Sequence, residues 1–218
     1  MRVHIQFTKP NEIIPYNHQE VLTGAFHKWI GKNIIHNDIS LYSFSRLSGA
    51  KADKKGLTFP FGAKWFISIY DKELFKKLLS GIVESPEIRW GMKVQDFFVQ
   101  PEPDFTHQTE FYAASPIFIK RSINNRQKHY LFSDKESSEL LTETLIHKMK
   151  VAGLNENDVK VEFNLKSSKP KTAKVTYNGI DNRASICPVN IIANNEIKAF
   201  AWNVGLGNST GIGFGAIS

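Results

Sequence analysis

The sequence predicts an α+β chain made of two similar modules, each running strand, helix, two strands, helix, strand. Three observations carry that expectation. Over the first hundred or so residues, segments with alternating apolar residues are separated by two stretches of helical period. A short stretch, Pro101-Glu102-Pro103-Asp104, then halts every element, because its two prolines and two acids build no periodic face and bury nothing. The pattern recurs less cleanly after it. With 218 residues, 41% hydrophobic and 22% charged, and 16 Phe, the chain has enough apolar side chain for two cores without disulfide staples.

Val3, Ile5 and Phe7 fall on one side of an extended segment and Arg2, His4 and Gln6 on the other, the period of a half-buried strand. Asn17 then stands where a helix cap is expected, ahead of Val21, Leu22, Ala25, Phe26, Trp29 and Ile30 at helical spacing. The other face of that helix is polar: Glu20, Thr23, Gly24, His27 and Gly31. Residues 41–47 and 57–70 read as strands, the second rich in aromatic and β-branched residues and broken by Pro60 and Gly62. Leu74, Phe75, Leu78, Leu79 and Ile82 give residues 71–84 an amphipathic helix, and residues 88–99 close the set as a strand. The order β-α-β-β-α-β is that of the ferredoxin-like unit.

Beyond the linker, residues 111–119 read as a strand and residues 120–128 as a basic hairpin with Lys120, Arg121, Arg126 and Lys128. A helix is expected over about residues 135–152, strands over 159–165, 174–177 and 186–192, a short helix over 196–204 and a last strand over 214–217. Lys166, Lys169, Lys171 and Lys174 cluster in a second hairpin. The repetition is one of pattern only, so the expected fold is tandem ferredoxin-like domains, residues 1–100 and 105–218, with a glycine-rich loop near the C-terminus.

The 28 Lys+Arg against 21 Asp+Glu leave a formal charge of +7, which favours a polyanionic partner. Cys187 is the single cysteine, which excludes an internal disulfide and a Cys-rich zinc site. The opening MRVHIQF alternates instead of offering a basic segment and an apolar run, and no stretch approaches the length of a membrane span. The expectation is a soluble, cytoplasmic protein with no membrane partner, no metal and no cofactor.

The densest local signal is GLGNSTGIGFG, which places Gly205, Gly207, Gly211, Gly213 and Gly215 within eleven residues. It follows a helix and contains no lysine, so it fits neither a P-loop nor a dinucleotide fingerprint, both of which run from strand to helix. Five glycines interleaved with Leu206, Ile212 and Phe214 point instead to backbone laid close against another chain, with N–H groups open to phosphate oxygens.

Ile14-Pro15-Tyr16-Asn17-His18-Gln19 ahead of the first helix, Leu41-Tyr42-Ser43-Phe44-Ser45, Ser115-Pro116-Ile117 and the terminal glycine segment, ordered along nearly the whole chain, resemble the Cas6 family of CRISPR-associated endoribonucleases, in the RAMP superfamily. The resemblance implies RNA lying across the basic surface where the modules meet, bound by Gly205, Gly207, Gly211, Gly213 and Gly215 and by Lys169 and Lys171. It also implies metal-independent cutting of CRISPR repeat transcripts (pre-crRNA). Other CRISPR effector subunits and a second copy of the chain are further candidate partners. A non-catalytic RNA-binding subunit of an effector complex is the alternative built from the same parts.

Cutting RNA without a metal makes the 2′-OH beside the scissile phosphate the nucleophile and leaves a 2′,3′-cyclic phosphate and a 5′-OH. The protein must take the hydroxyl proton, protonate the leaving oxygen and stabilise charge on the phosphoryl oxygens, and histidine suits both proton transfers. Of seven histidines, His27 on the polar face of the first helix and His36 in the loop after it are placed to converge on one phosphate as base and acid, in either order. The resemblance places the catalytic histidine on this helix or loop and often a tyrosine at the position of His27. Some members carry a lysine just before the strand that starts at Leu41, where this chain has Ser40. Lys32, Lys51 and Arg46 are the remaining cations for the charge-stabilising role.

Overall fold

The computed structural model describes residues 1–31, 39–155, 158–166 and 169–218. The fold is α+β, with several antiparallel sheets and four helices among the described residues. In the first half the elements are β1 (Arg2–Phe7), α1 (Gln19–Ile30), β2 (Tyr42–Phe44), β3 (Lys51–Asp53), β4 (Gly56–Thr58), β5 (Lys64–Ile69), α2 (Lys72–Glu84) and β6 (Val94–Gln100). β1 lies at the centre of a four-stranded sheet of order β2-β5-β1-β6, all neighbours antiparallel. The alternation read from the sequence sets which face is buried. Val3, Ile5, Phe7, Trp65, Ile67 and Ile69 point at α1 and α2 and meet Leu22, Phe26, Trp29, Phe75, Leu78 and Ile82 in one apolar cluster.

In the second half β7 (Glu110–Phe111) is followed by the hairpin β8 (Ile119–Ile123) and β9 (Arg126–Tyr130), then α3 (Ser137–Val151) and β10 (Lys160–Phe163). The hairpin β11 (Lys171–Tyr177) and β12 (Ile180–Ile186), then β13 (Val189–Ile192) and α4 (Asn195–Val204) complete the set. The sheet order is β10-β13-β7, and Ala113 bridges Ile217 beyond β7. Counting that terminal segment as a fourth strand, this order repeats that of the first half, which is consistent with tandem ferredoxin-like domains. A second apolar cluster forms here from Phe111, Leu141, Leu145, Val161, Val189, Ile191, Phe200 and Ile217 among others.

Several boundaries differ from those expected, each for a local reason. The strand expected over 111–119 is split: Pro116 has no N–H to continue a ladder, and past it Ile117 pairs with Ser185 instead. The strand expected over 186–192 is likewise divided at Pro188, its first residue closing β12. Trp90 and Gly91 both adopt positive φ (63° and 67°) in a turn, so β6 starts at Val94 rather than at residue 88. The terminal strand over 214–217 is reduced to the Ile217 bridge, because Phe214 leaves the sheet for a small cluster with Phe118, Val175 and Ala184. The N-cap position of α1 is His18, not Asn17, and no side chain caps the helix there. The linker does take part in packing: Glu102 accepts hydrogen bonds from the Met1 amine (3.3 Å) and from the buried Asn203 amide (2.7 Å).

Arg2 joins the two halves. It is 2% exposed, and its guanidinium lies between the rings of Phe66 and Trp202, 3.9 and 3.7 Å from their centroids. Nε donates to Ser68 Oγ (2.6 Å), and Nη2 donates to the carbonyls of Trp202 (3.1 Å) and Ile217 (2.6 Å). Burial pulls its pKa down to about 9. Ser43 Oγ donating to the Asn203 carbonyl (3.1 Å) and the Tyr70–Phe200 edge contact extend the junction.

Arg2→Ala strips two buried carbonyls of their donor and removes a cation from between two rings. Urea denaturation is expected to show a loss of roughly 3–5 kcal/mol, with both halves unfolding together in wild type. A change below about 1 kcal/mol would rule out this role.

Candidate functional site

Helix α1 buries Leu22, Ala25, Phe26, Trp29 and Ile30 against the sheet and leaves Glu20, Gly24 and Lys28 exposed. His27 is half-buried on the flank of this helix, edge-on to Phe26 at 5.5 Å. His36 and Lys32 lie outside the described residues. Phe26 also stacks on Tyr42 (4.4 Å), which ties the middle of α1 to the start of β2.

The face of α1 that the sequence reads as uniformly polar is partly covered by the second half of the chain. Thr23 is only 5% exposed and Gln19 3%. Gln19 Nε2 donates to the Gly213 carbonyl (3.2 Å), Asn178 N–H donates to Glu20 Oε1 (2.6 Å), and the Tyr177 phenol sits beside Thr23. Tyr177 and Asn178 belong to the tip of the β11–β12 hairpin, where Asn178-Gly179 forms a two-residue turn with both φ positive, 49° and 73°. That dipeptide is the strongest short-range hairpin signal in a sequence, and it is the feature that would have located Tyr177.

The glycine segment lies in the angle between α1, β2 and the second sheet. Its close approaches are made to this chain: a Cβ on Gly215 would overlap the Leu206 carbonyl, and one on Gly213 would overlap the Gln19 amide. Its backbone donors are taken up in the same way. Gly205 N–H meets the Ala201 carbonyl (2.8 Å), Gly213 the Thr210 carbonyl (3.1 Å) and Gly215 the Pro116 carbonyl (2.9 Å). The sequence expectation of N–H groups open to phosphate is corrected for these three residues. The glycines instead let a strap of backbone fit between packed elements. At Gly211 the strap runs against Ser40 and the Tyr42 hydroxyl.

Beneath the strap is Lys148 of α3, 2% exposed. Its ammonium donates to the carbonyls of Val204 (3.0 Å) and Gly205 (3.1 Å) and to Thr210 Oγ1 (3.1 Å). The carbonyls belong to the C-terminal end of α4, where the helix dipole favours a cation. Thr210 Oγ1 in turn donates to the Ser40 carbonyl (3.4 Å), so Lys148 holds the strap beside Ser40. Burial lowers the Lys148 pKa to about 7.

Of the other candidate cations, Arg46 is half-buried, with its pKa lowered by burial, and Lys51 is exposed on β3. The two basic runs become neighbours in space: Arg183 N–H of β12 donates to His129 Nδ1 of β9 (3.3 Å). Lys120, Arg126, Lys128, Lys169, Lys171 and Arg183 are exposed along this pair of hairpins. Burial, and after it the nearby Lys120 and Arg183 cations, lower the pKa of His129. Arg121 is instead tied to Glu143 (3.0 Å) and the Leu140 carbonyl, and Lys174 to Asp181 (2.9 Å).

Antiparallel sheets with helices packed on them, braced by a terminal glycine strap and with basic hairpins to one side, are consistent with a protein of the tandem ferredoxin-like class. The family model described as "CRISPR associated protein Cas6, C-terminal" matches residues 100–218, more than half of the chain, and the chain belongs to the Cas6 family. It is 25% identical over 236 residues to the CRISPR-associated endoribonuclease Cas6 1 of Methanocaldococcus jannaschii, covering 100% of this chain and 92% of that protein. It is 23% identical over 219 residues to the CRISPR-associated endoribonuclease Cas6 of Pyrococcus furiosus, covering 94% and 83% of the two chains. A solved structure described as CRISPR associated protein Cas6 superposes with a TM-score of 0.84 at 22% identity, over 100% of this chain and 98% of that one, a likeness of fold. No helix among the described residues is long and apolar enough to cross a membrane.

Lys148 makes stability depend on pH with a definite sign. Its pKa is about 7 in the folded chain against about 10.5 unfolded, so the unfolded chain binds more protons between those values and stability rises with pH across that window. Below pH 7 the burial cost is fully present. Chemical denaturation from pH 6.5 to 9.5 is expected to show this rise in wild type and a flatter profile in Lys148→Met, and equal slopes would refute it.

Proposed function

We propose that the chain is a metal-independent endoribonuclease that cuts CRISPR repeat RNA (pre-crRNA) by attack of the 2′-OH on the adjacent phosphate, giving 2′,3′-cyclic phosphate and 5′-OH ends. The observation that carries the reading is the position of His27. It is half-buried on α1 next to Phe26, which stacks on Tyr42 at the start of β2, in a chain of the Cas6 family. The relatives named as endoribonucleases match over nearly the whole chain.

In this reading two ferredoxin-like domains, residues 1–100 and 105–218, present one RNA-binding surface. The basic hairpins hold the phosphate backbone, with Lys169 and Lys171 free of the ion pair that occupies Lys174. The glycine strap contributes to the RNA site by shape, setting the wall against which the strand lies. His27 and His36 share the two proton transfers, each worth about 10² to 10⁴ in rate. With Ser40 where a lysine often stands, charge on the phosphoryl oxygens falls to hydroxyl donors and to a cation from elsewhere in the chain.

The test incubates repeat RNA in EDTA with wild type, His27→Ala and His36→Ala, next to an RNA carrying one 2′-deoxy at the cut. Expected are chelator-resistant cutting, its loss with the 2′-deoxy RNA, and slowing by about 10² or more in at least one histidine variant. Loss of activity in EDTA would overturn the mechanism. Tight binding without any cutting would assign the chain to a non-catalytic RNA-binding subunit.

Lys169→Ala and Lys171→Ala are each expected to weaken RNA binding and to reduce the slope of log Kd against log salt by about 0.7, the value for one phosphate contact on a single strand. Salt titrations that leave the slope unchanged would place the contact elsewhere.

A further inference from the structure

The β11–β12 hairpin reaches from the second half of the chain across to α1, and its tip is held there. Asn178 N–H donates to Glu20 Oε1 at 2.6 Å, which fixes the tip to the helix. Next to it the half-buried Tyr177 phenol lies beside Thr23 and near Tyr42, whose own hydroxyl neighbours Ser40. Thr23 is one helical turn from His27, about 6 Å along the axis. Between them Gly24 is exposed, and a Cβ built there meets nothing within 4 Å among the described residues. The same hairpin begins at the exposed Lys171, with the exposed Lys169 two residues before it.

We propose that the Tyr177 hydroxyl, carried across by this hairpin, donates to the RNA backbone next to the scissile phosphate, over Gly24 and beside His27. The proposal rests on the reading of the chain as an RNA-cleaving enzyme and adds a substrate-contacting residue from the opposite half of the molecule. Burial raises the phenol pKa, against a smaller lowering by its hydrogen bond with Thr23, so near neutral pH the phenol keeps its proton. A neutral donor fits a role in holding phosphate oxygens, with the proton transfers left to the histidines.

Tyr177→Phe keeps the ring and its packing and removes only the donor. With enzyme saturating, single-turnover cutting of repeat RNA is expected to slow about tenfold, with Tm unchanged. A phosphorothioate at the scissile phosphate or its 5′ neighbour is expected to slow wild type and to add nothing in Tyr177→Phe, because both changes remove the same hydrogen bond. Wild-type rates in Tyr177→Phe, or the same phosphorothioate penalty in both proteins, would overturn the proposal and leave Tyr177 as a brace. If wild type cuts no repeat RNA, the enzyme reading fails on its own, and affinity for the 2′-deoxy repeat RNA then decides: Tyr177→Phe about fivefold weaker supports the contact, and equal affinity refutes it.

Discussion

The structure depends on a buried cation that carbonyls and rings answer where no carboxylate does. Arg2 sits on the first strand, yet two of its acceptors, Trp202 and Ile217, are two hundred residues away in sequence. A guanidinium can be left in such a place because it is weakly hydrated, stays protonated with its pKa lowered to about 9, and stacks on aromatic faces while donating in its own plane. A lysine would offer the charge without the plane. By fixing the first strand to the end of α4 and to the terminal segment, Arg2 sets how the sheets meet, and with them the angle in which α1, β2 and the glycine strap converge.

The strap shows how a motif that looks made for a ligand also serves packing. Its glycines are needed where backbone passes within touching distance of backbone, as at Gly215 against Leu206. Lys148 fastens the same strap from below, again on oxygen acceptors at the end of α4. A buried ammonium and a buried guanidinium thus do related work: each ties the last residues of the chain to an element far away in sequence. Each cation is held at a desolvation cost that its oxygen acceptors offset.

The candidate site is composite for the same reason. α1 supplies His27, Thr23 and Glu20, β2 supplies Tyr42 with Ser40 just before it, the strap supplies Gly211 and Thr210, and the β11–β12 hairpin supplies Tyr177 and Asn178. The basic runs lie on two neighbouring hairpins, and the end of one of these reaches the helix that carries His27.

The alternation of Val3, Ile5 and Phe7 and the helical spacing of Leu22, Phe26 and Trp29 determined the first module, because local periodicity decides which face is buried. The glycine segment and the residues ahead of α1 were enough to reveal the family. The sequence alone could not show that Arg2 and Lys148 are buried, since nothing near them in the chain distinguishes an interior cation from a surface one. Nor could it show that Thr23 is covered, that Tyr177 crosses to α1, or that the glycine donors are bonded internally. Those features rest on contacts between segments far apart in the chain, and such contacts exist only once two separately legible modules have packed together.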